Sequence, residues 1–488
     1  MDVTRRAGIL LPIFSLPSDY GIGNFGKEAF RFVDFLESSG QGLWQILPMG
    51  PTIKYESPYQ SLSAFAGNPW FIDPQMLMED GLLTKKELLG HNRDLEGFPC
   101  RPGKVNYMGL RACRAALLDK AARRFSESDK GFKRFCADEG WWLDDYTEFL
   151  GDEAQRAIQY FFFRQWGALK KYANSKGVEI IGDLPLYVAE ESCDYLVNPR
   201  LFQTGEKSYR AGHGVSSRKY GARRTVSRPS SVAGVPPDNF SDEGQVWNTP
   251  LYDWNENKKS GFKWWLSRIK QAAELYDHVR IDHFRGISEY YSIPTGRPAS
   301  CGHWEKGPGK EFIDAVNAAA PGLGIIAEDL GFLTEDVIAL REYSGWQGMK
   351  VLQSAFSMDE ESDYLPHNHV RGCVIYTGGH DNRTLKGWTN NENPGSIAKA
   401  MDYLGAPSAF KLQKAMIRAA LASVAGTAVI PMPDWLGLGD SARINTPGTI
   451  SGRNWSWRLL PENLTTEASA EILSLTLTYA RGHNISYE

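Results

Sequence analysis

Short apolar runs of strand length recur along the chain, most of them closed by a Pro, Gly or acidic residue. They read GILLPIF (8–14), GLWQILP (42–48), EIIGDLP (179–185), HVRIDHF (278–284), GIIAEDL (324–330), GMKVLQS (348–354), CVIYTGGHD (373–381) and TAVIPMPDW (427–435). The runs are near-continuous rather than alternating, which is the pattern of strands buried on both faces of a parallel sheet. Between them lie apolar positions at helical spacing, as in KEAFRFVDFLESSG (27–40), KWWLSRIKQAAELYD (263–277) and KLQKAMIRAALASVAG (411–426). Eight strands alternating with helices predict a TIM-type (β/α)8 barrel, with a doubly wound open sheet as the alternative that spacing alone does not separate. A plain barrel takes about 250 residues, and this chain has 488. The surplus is expected as insertions into one catalytic unit spanning 1–488. One, over 50–178 after strand 2, reads as mainly helical, as in GLRACRAALLDKAARRF (109–125); the other covers 186–277 after strand 3. No repeat or low-complexity linker divides the chain.

In such barrels the loops leaving the C-terminal strand ends build the active site, and three of the runs end in acids. Arg280 and Asp282 are two apart on the fourth run, so they share a side. A guanidinium there favours the charged carboxylate a nucleophile needs, although a structural ion pair would look the same. The fifth run ends Glu328-Asp329, whose side chains point to opposite faces, so one of them can face the pocket as a general acid. The seventh ends Gly378-Gly379-His380-Asp381, where glycine permits close backbone approach. Acids at three separate strand ends suit glycoside chemistry, which needs two carboxyl groups flanking the bond. A rival signal is Gly21-Ile22-Gly23-Asn24-Phe25-Gly26, which matches the dinucleotide fingerprint GxGxxG. That site also wants an acid at the end of the next strand, and the next strand ends Trp44-Gln45-Ile46-Leu47-Pro48. The glycines are therefore read as a tight turn.

Composition narrows the class further. A net charge of −4 gives no steering toward nucleic acid or an acidic membrane surface. The 15 Trp, 21 Tyr and 23 Phe are mostly expected as core and packing residues, and their flat faces also fit a site that stacks on sugar rings. Six cysteines without a CxxC pair suit free thiols in a reducing compartment. The apolar stretch near the N-terminus is broken by Pro12 and Pro17, too short to cross a membrane and without a signal-cleavage pattern, so a cytoplasmic location is expected. His367-Asn368-His369 is a lone HxH without further ligands near it in sequence, and no metal or cofactor is expected.

Taken together, the motifs WQILPMGPT (44–52), SPYQSLSAFAGNPWFID (57–73), GDLPLYV (182–188), GVPPDNFSDEGQVW (234–247), VRIDHFRG (279–286), AEDLG (327–331), TGGHDN (377–382) and ARINTPGT (442–449) resemble the amylomaltases, or 4-α-glucanotransferases, of glycoside hydrolase family 77 in the α-amylase clan. The resemblance runs nearly end to end and implies transfer of α-1,4-glucan segments to maltooligosaccharide acceptors, without a cofactor, by a monomer or homodimer. It implies Asp282 as nucleophile, Glu328 as acid and base, and Asp381 as stabiliser of the transition state. Arg280 would orient and ionise Asp282, and His380, Asp183, Tyr59, Ser57, Trp247, Asp238, Pro236 and Asn454 would bind sugar. Residues 234–247 would overhang the cleft, and this segment favours transferase over a hydrolase of the same clan. A glucan-binding protein without activity would not need all three acids. The chain departs from the family at Gly379, where Thr is usual, at Arg383, where an acid is usual, and at Asn248, often Gly. It also carries a longer basic stretch over 204–231, with Lys207, Arg210, Arg218, Lys219, Arg223, Arg224 and Arg228, read either as an exposed solvated loop or as a flap near the cleft entrance.

Overall fold

The computed structural model describes residues 5–53, 55–209, 225–237, 243–331, 333–356 and 362–483. Eight strands close into a barrel: β1 (Arg6–Leu10), β2 (Leu43–Gln45), β3 (Glu179–Leu184), β4 (His278–Ile281), β5 (Gly324–Ala327), β6 (Gln347–Val351), β7 (Cys373–Tyr376) and β8 (Thr427–Pro431). Each pairs in parallel with the next in sequence, and β8 returns to β1 with Arg6 opposite Thr427. All eight predicted runs are barrel strands, and β7 and β8 are buried along their whole length. The open-sheet alternative is excluded by the closure.

Closure is sealed at the N-terminal end of the strands. Arg481, fully buried, donates to the carbonyl oxygens of Arg6, Leu421, Ser423, Ala425 and Gly426 at 2.7–3.1 Å. One guanidinium thus bridges backbone acceptors at the start of both β1 and β8, and it shares three of them: Arg5 also donates to Leu421 and Ser423, and the Arg6 N–H to Gly426.

Helices Pro74–Glu79, Lys85–Glu96, Tyr107–Arg124, Lys130–Leu150 and Ala154–Ser175 lie between β2 and β3. Helix Ala154–Ser175 buries Ile158, Phe161, Phe162, Trp166, Leu169 and Ala173, an apolar stripe at helical spacing. The same face holds two buried glutamines. Gln159 exchanges two hydrogen bonds with the backbone of Gly67 (2.7 and 3.0 Å), and Gln165 does the same with Asp73 (2.7 and 3.1 Å). These pairs pin the 57–73 segment, which carries Tyr59, to the helical insertion.

Between β3 and β4 the strands Thr204–Tyr209 and Thr225–Pro229 form an antiparallel ribbon. The tip of the basic stretch, residues 210–224, lies outside the described residues. Strand Ser231–Val235 sits in a second antiparallel sheet with Gln245–Pro250, Glu289–Pro294 and His303–Lys306. Two of those four strands follow β4, a position where the sequence pattern predicts none.

The GxGxxG segment is a packed turn. A Cβ on Gly23 would lie 2.0 Å from the Ile13 carbonyl oxygen, one on Gly26 would meet the Asp73 carboxylate, and Gly21 has φ +82°. Glycine is required here by the chain's own atoms.

Candidate active site

The three acids and their neighbours meet at the C-terminal ends of β3, β4, β5 and β7. In the strand register Asp183 of β3 stands beside Arg280 of β4. The Arg280 guanidinium is shared. Its Nη1 donates to both oxygens of Asp183 (3.0 and 2.9 Å), while Nη2 lies 2.8 Å from Asp282 Oδ1 and 4.0 Å from Glu328 Oε2. These charges hold the arginine well above its usual range despite burial. The side chains form a gradient of exposure, from Asp183 at 0% through Glu328 at 13% and Asp282 at 29% to Asp381 at 46%. Burial raises the Asp183 carboxyl, and Arg280 opposes the rise.

Glu328 and Asp329 point apart, as adjacent strand residues must. Glu328 accepts the backbone N–H of His283 at Oε2 (2.7 Å) and that of Leu330 at Oε1 (3.0 Å). Burial, helped by the Asp282 charge and opposed by Arg280, pushes its carboxyl up to about 8. Asp329 turns away, accepting the Met349 N–H at 2.7 Å and facing Arg341. His283, directly after Asp282, has φ +50°, a strained conformation for a non-glycine residue. It aims its N–H at Glu328 and its ring at Trp247, whose centroid is 4.8 Å away edge-on.

Asp381 accepts from Asn445 Nδ2 at Oδ1 (2.6 Å) and lies 3.3 Å from His380 Nε2. Against burial, which raises it, His380 and Asn445 hold this carboxyl down at about 2. Arg443 donates to the Asp381 carbonyl (2.6 Å), and the Asn445 N–H donates to the His380 carbonyl (3.0 Å). The loop after β8 therefore grips the loop after β7. Tyr59 donates its hydroxyl to Asp183 Oδ2 (2.8 Å) and stacks on His380 at 5.3 Å and 20°. Trp455, with φ +58°, packs against both Tyr59 and His380 at 5.9 Å.

The remaining expected sugar contacts vary in placement. Ser57 is half-buried and accepts the Tyr59 N–H, shaping the turn that presents Tyr59. Trp247 donates to Gln245 and forms a wall beside His283. Pro236 is half-buried, and Asp238 lies outside the described residues. Asn454 spends its amide within its own loop, on Thr446, Thr449 and Ser451, rather than facing the acids. Trp455, Arg443 and Asn445 carry no strand-end signal in the sequence, since loop residues lack periodicity; His283 lies within the fourth run, but nothing in the run marks its strained backbone.

Two of the three family departures have local reasons. Arg383 pairs with Asp440 and not with Asp381. Asn248 adopts φ +57°, a left-handed conformation that Gly takes freely and Asn tolerates best among the rest. A Cβ at Gly379 would meet only Asn382 Oδ1, at 3.3 Å, so packing does not exclude the family's threonine. His367 bonds Tyr403, and His369 bonds Ser423 and the Tyr364 carbonyl. Among the described residues no group of three or more His, Cys, Asp or Glu side chains is arranged to hold a metal ion, and no helix is long and apolar enough to cross a membrane. All six cysteines are free thiols.

A family model described as 4-alpha-glucanotransferase, glycoside hydrolase family 77, matches residues 11–155 and 151–464. A 4-alpha-glucanotransferase of Streptococcus pneumoniae serotype 4 is 41% identical over 98% of this chain and 97% of its own. One from Clostridium butyricum is 39% identical over 96% of this chain and 99% of its own. Among solved structures, an amylomaltase from Streptococcus agalactiae in complex with acarbose superposes with a TM-score of 0.89 at 34% identity, covering 98% of this chain and all of that one. The chain belongs to the 4-α-glucanotransferases of glycoside hydrolase family 77.

Proposed function

We propose that this enzyme disproportionates α-1,4-glucans by a retaining double displacement in which Asp282 is the nucleophile and Glu328 the acid and base. The observation that carries it is the shared Arg280 nitrogen. Two carboxyl oxygens at 2.8 and 4.0 Å from one atom cannot be further apart than those distances combined. That limit admits the about 5–5.5 Å of retaining enzymes and reaches only the short end of the about 6.5–9.5 Å over which an inverting enzyme seats a water between its acids.

In the first step Asp282 attacks the anomeric carbon, and the bond to the leaving 4-oxygen breaks as Glu328 gives that oxygen its proton. The product is a glycosyl ester on Asp282. In the second, Glu328, now ionised, takes the proton from the 4-hydroxyl of an acceptor sugar, which attacks the same carbon and frees Asp282. Two inversions give net retention. Asp381, ionised and exposed to the cleft, offsets the positive charge that develops on the ring. Asp183, Arg280, Tyr59 and His380 hold the ring in place. Transfer prevails over hydrolysis when the acceptor is held in line and water is kept out, roles suited to the wall formed by Trp247 and Tyr187, whose ring centroids lie 6.2 Å apart.

Incubation with maltotriose, with products resolved by size, tests the reading. A ladder of longer maltooligosaccharides together with glucose is expected. Maltose and glucose alone, with matching growth in reducing ends, would make the enzyme a hydrolase.

A further inference from the structure

The loop from Thr377 to Leu385 joins β7 to helix Leu385–Asn391 and carries His380 and Asp381. Its two ends converge on one side chain, Asp434, in the short helix Met432–Trp435 that follows β8. Asp434 Oδ2 accepts the Thr377 hydroxyl at 2.7 Å, and Oδ1 accepts the Leu385 N–H at 2.7 Å. All three residues are buried.

We propose that Asp434 is a positioning residue for the reaction, fixing both ends of the Thr377–Leu385 loop and so the place of the Asp381 carboxylate over the reacting sugar. It rests on the role assigned to Asp381 above. The two ends of the loop call for a side chain with two polar atoms, one accepting the Leu385 N–H and the other paired with the Thr377 hydroxyl, and a carboxyl in the short helix directly after β8 supplies both. The middle of the same loop is held separately, by Arg443 and Asn445. Loosening the ends alone would therefore tilt Asp381 without releasing it. Other buried acids differ in kind: Asp194 accepts the Ala64 N–H and Asp73 caps helix Pro74–Glu79, both within the insertions. Burial pushes the Asp434 carboxyl up to about 7, its two hydrogen bonds opposing. With a proton on Oδ2 the acid donates to Thr377, which is the pattern an amide would reproduce.

The test compares Asp434→Ala, Asp434→Asn, Thr377→Val, Asp381→Asn and the double variant Asp434→Ala/Asp381→Asn. Turnover per folded molecule is read with α-maltosyl fluoride as donor, whose good leaving group keeps slow variants measurable. A misplacement of about 1 Å costs on the order of 100-fold. Asp434→Ala is thus expected to lose roughly 30-fold or more in kcat with KM changed less than about threefold, and Asp434→Asn to recover most of it. Because Asp434 acts through Asp381, the double variant is expected to be no slower than Asp381→Asn alone. Losses that multiply in the double variant, or an Asp434→Ala kcat close to that of the parent, would overturn the proposal. If Asp434→Ala does not fold, Thr377→Val and its double with Asp381→Asn are judged by the same rule. Full turnover by Asp381→Asn would instead overturn the reading of Asp381, and that single variant shows it before any double is made.

Discussion

Glu328 has to carry a proton before it can assist a leaving group, and its surroundings favour that form up to about pH 8. The direction is fixed: the protonated acid is the active form, so kcat/KM for a glucan donor is expected to hold below that value and to fall about tenfold per pH unit above it. A pH profile with maltotriose, repeated on Glu328→Gln, measures this; a parent profile flat to pH 10 would remove Glu328 as the acid. An activated donor needs less protonation, so the limb should weaken with α-maltosyl fluoride. The amide variant is not a silent replacement. Both Glu328 oxygens accept backbone N–H groups, and an NH2 facing one of them adds a repulsion the carboxylate lacks. The three acids were legible as residues because each closes an apolar run. Asp434 also stands at the end of a run, the eighth, yet its role was hidden, since its partners are a hydroxyl and a backbone N–H about 50 residues earlier in the chain and neither leaves a mark in its own neighbourhood.

At the level of elements, the eight barrel strands were readable for one physical reason: a strand buried on both faces has no polar alternation to disguise it. The antiparallel sheet beside the cleft obeys a different rule. Its strands Gln245–Pro250 and His303–Lys306 are largely half-exposed, so no apolar run marks them. The helical insertion was visible as helices, yet its service to the site was hidden in two glutamines that a pattern reader assigns to a polar face. Gln159→Leu leaves the Gly67 N–H and carbonyl buried and unpaired, at a cost of roughly 2 kcal/mol or more. We expect a lower Tm by calorimetry and a raised KM for maltotriose, because the segment presenting Tyr59 is loosened. An unchanged KM would show that Tyr59 is held without this pin.

For the molecule as a whole, stability and chemistry sit at opposite ends of the barrel. Arg481→Leu would remove five hydrogen bonds where β1 meets β8, three of them to carbonyls that keep another donor, a loss of roughly 3 kcal/mol. Thermal melts should show a large drop, while kcat at 25 °C, per folded molecule, stays near that of the parent. A kcat that fell with Tm would mean the two ends communicate. The contact between Arg481 and Arg6 also makes neighbours of the first and last described stretches, on the far side from the carboxylates. A short Gly/Ser bridge could therefore join them in a circular permutant, with new termini opened in a surface loop. Tethered to a bead through either end, the protein would hold its cleft outward, free to meet a glucan far larger than itself.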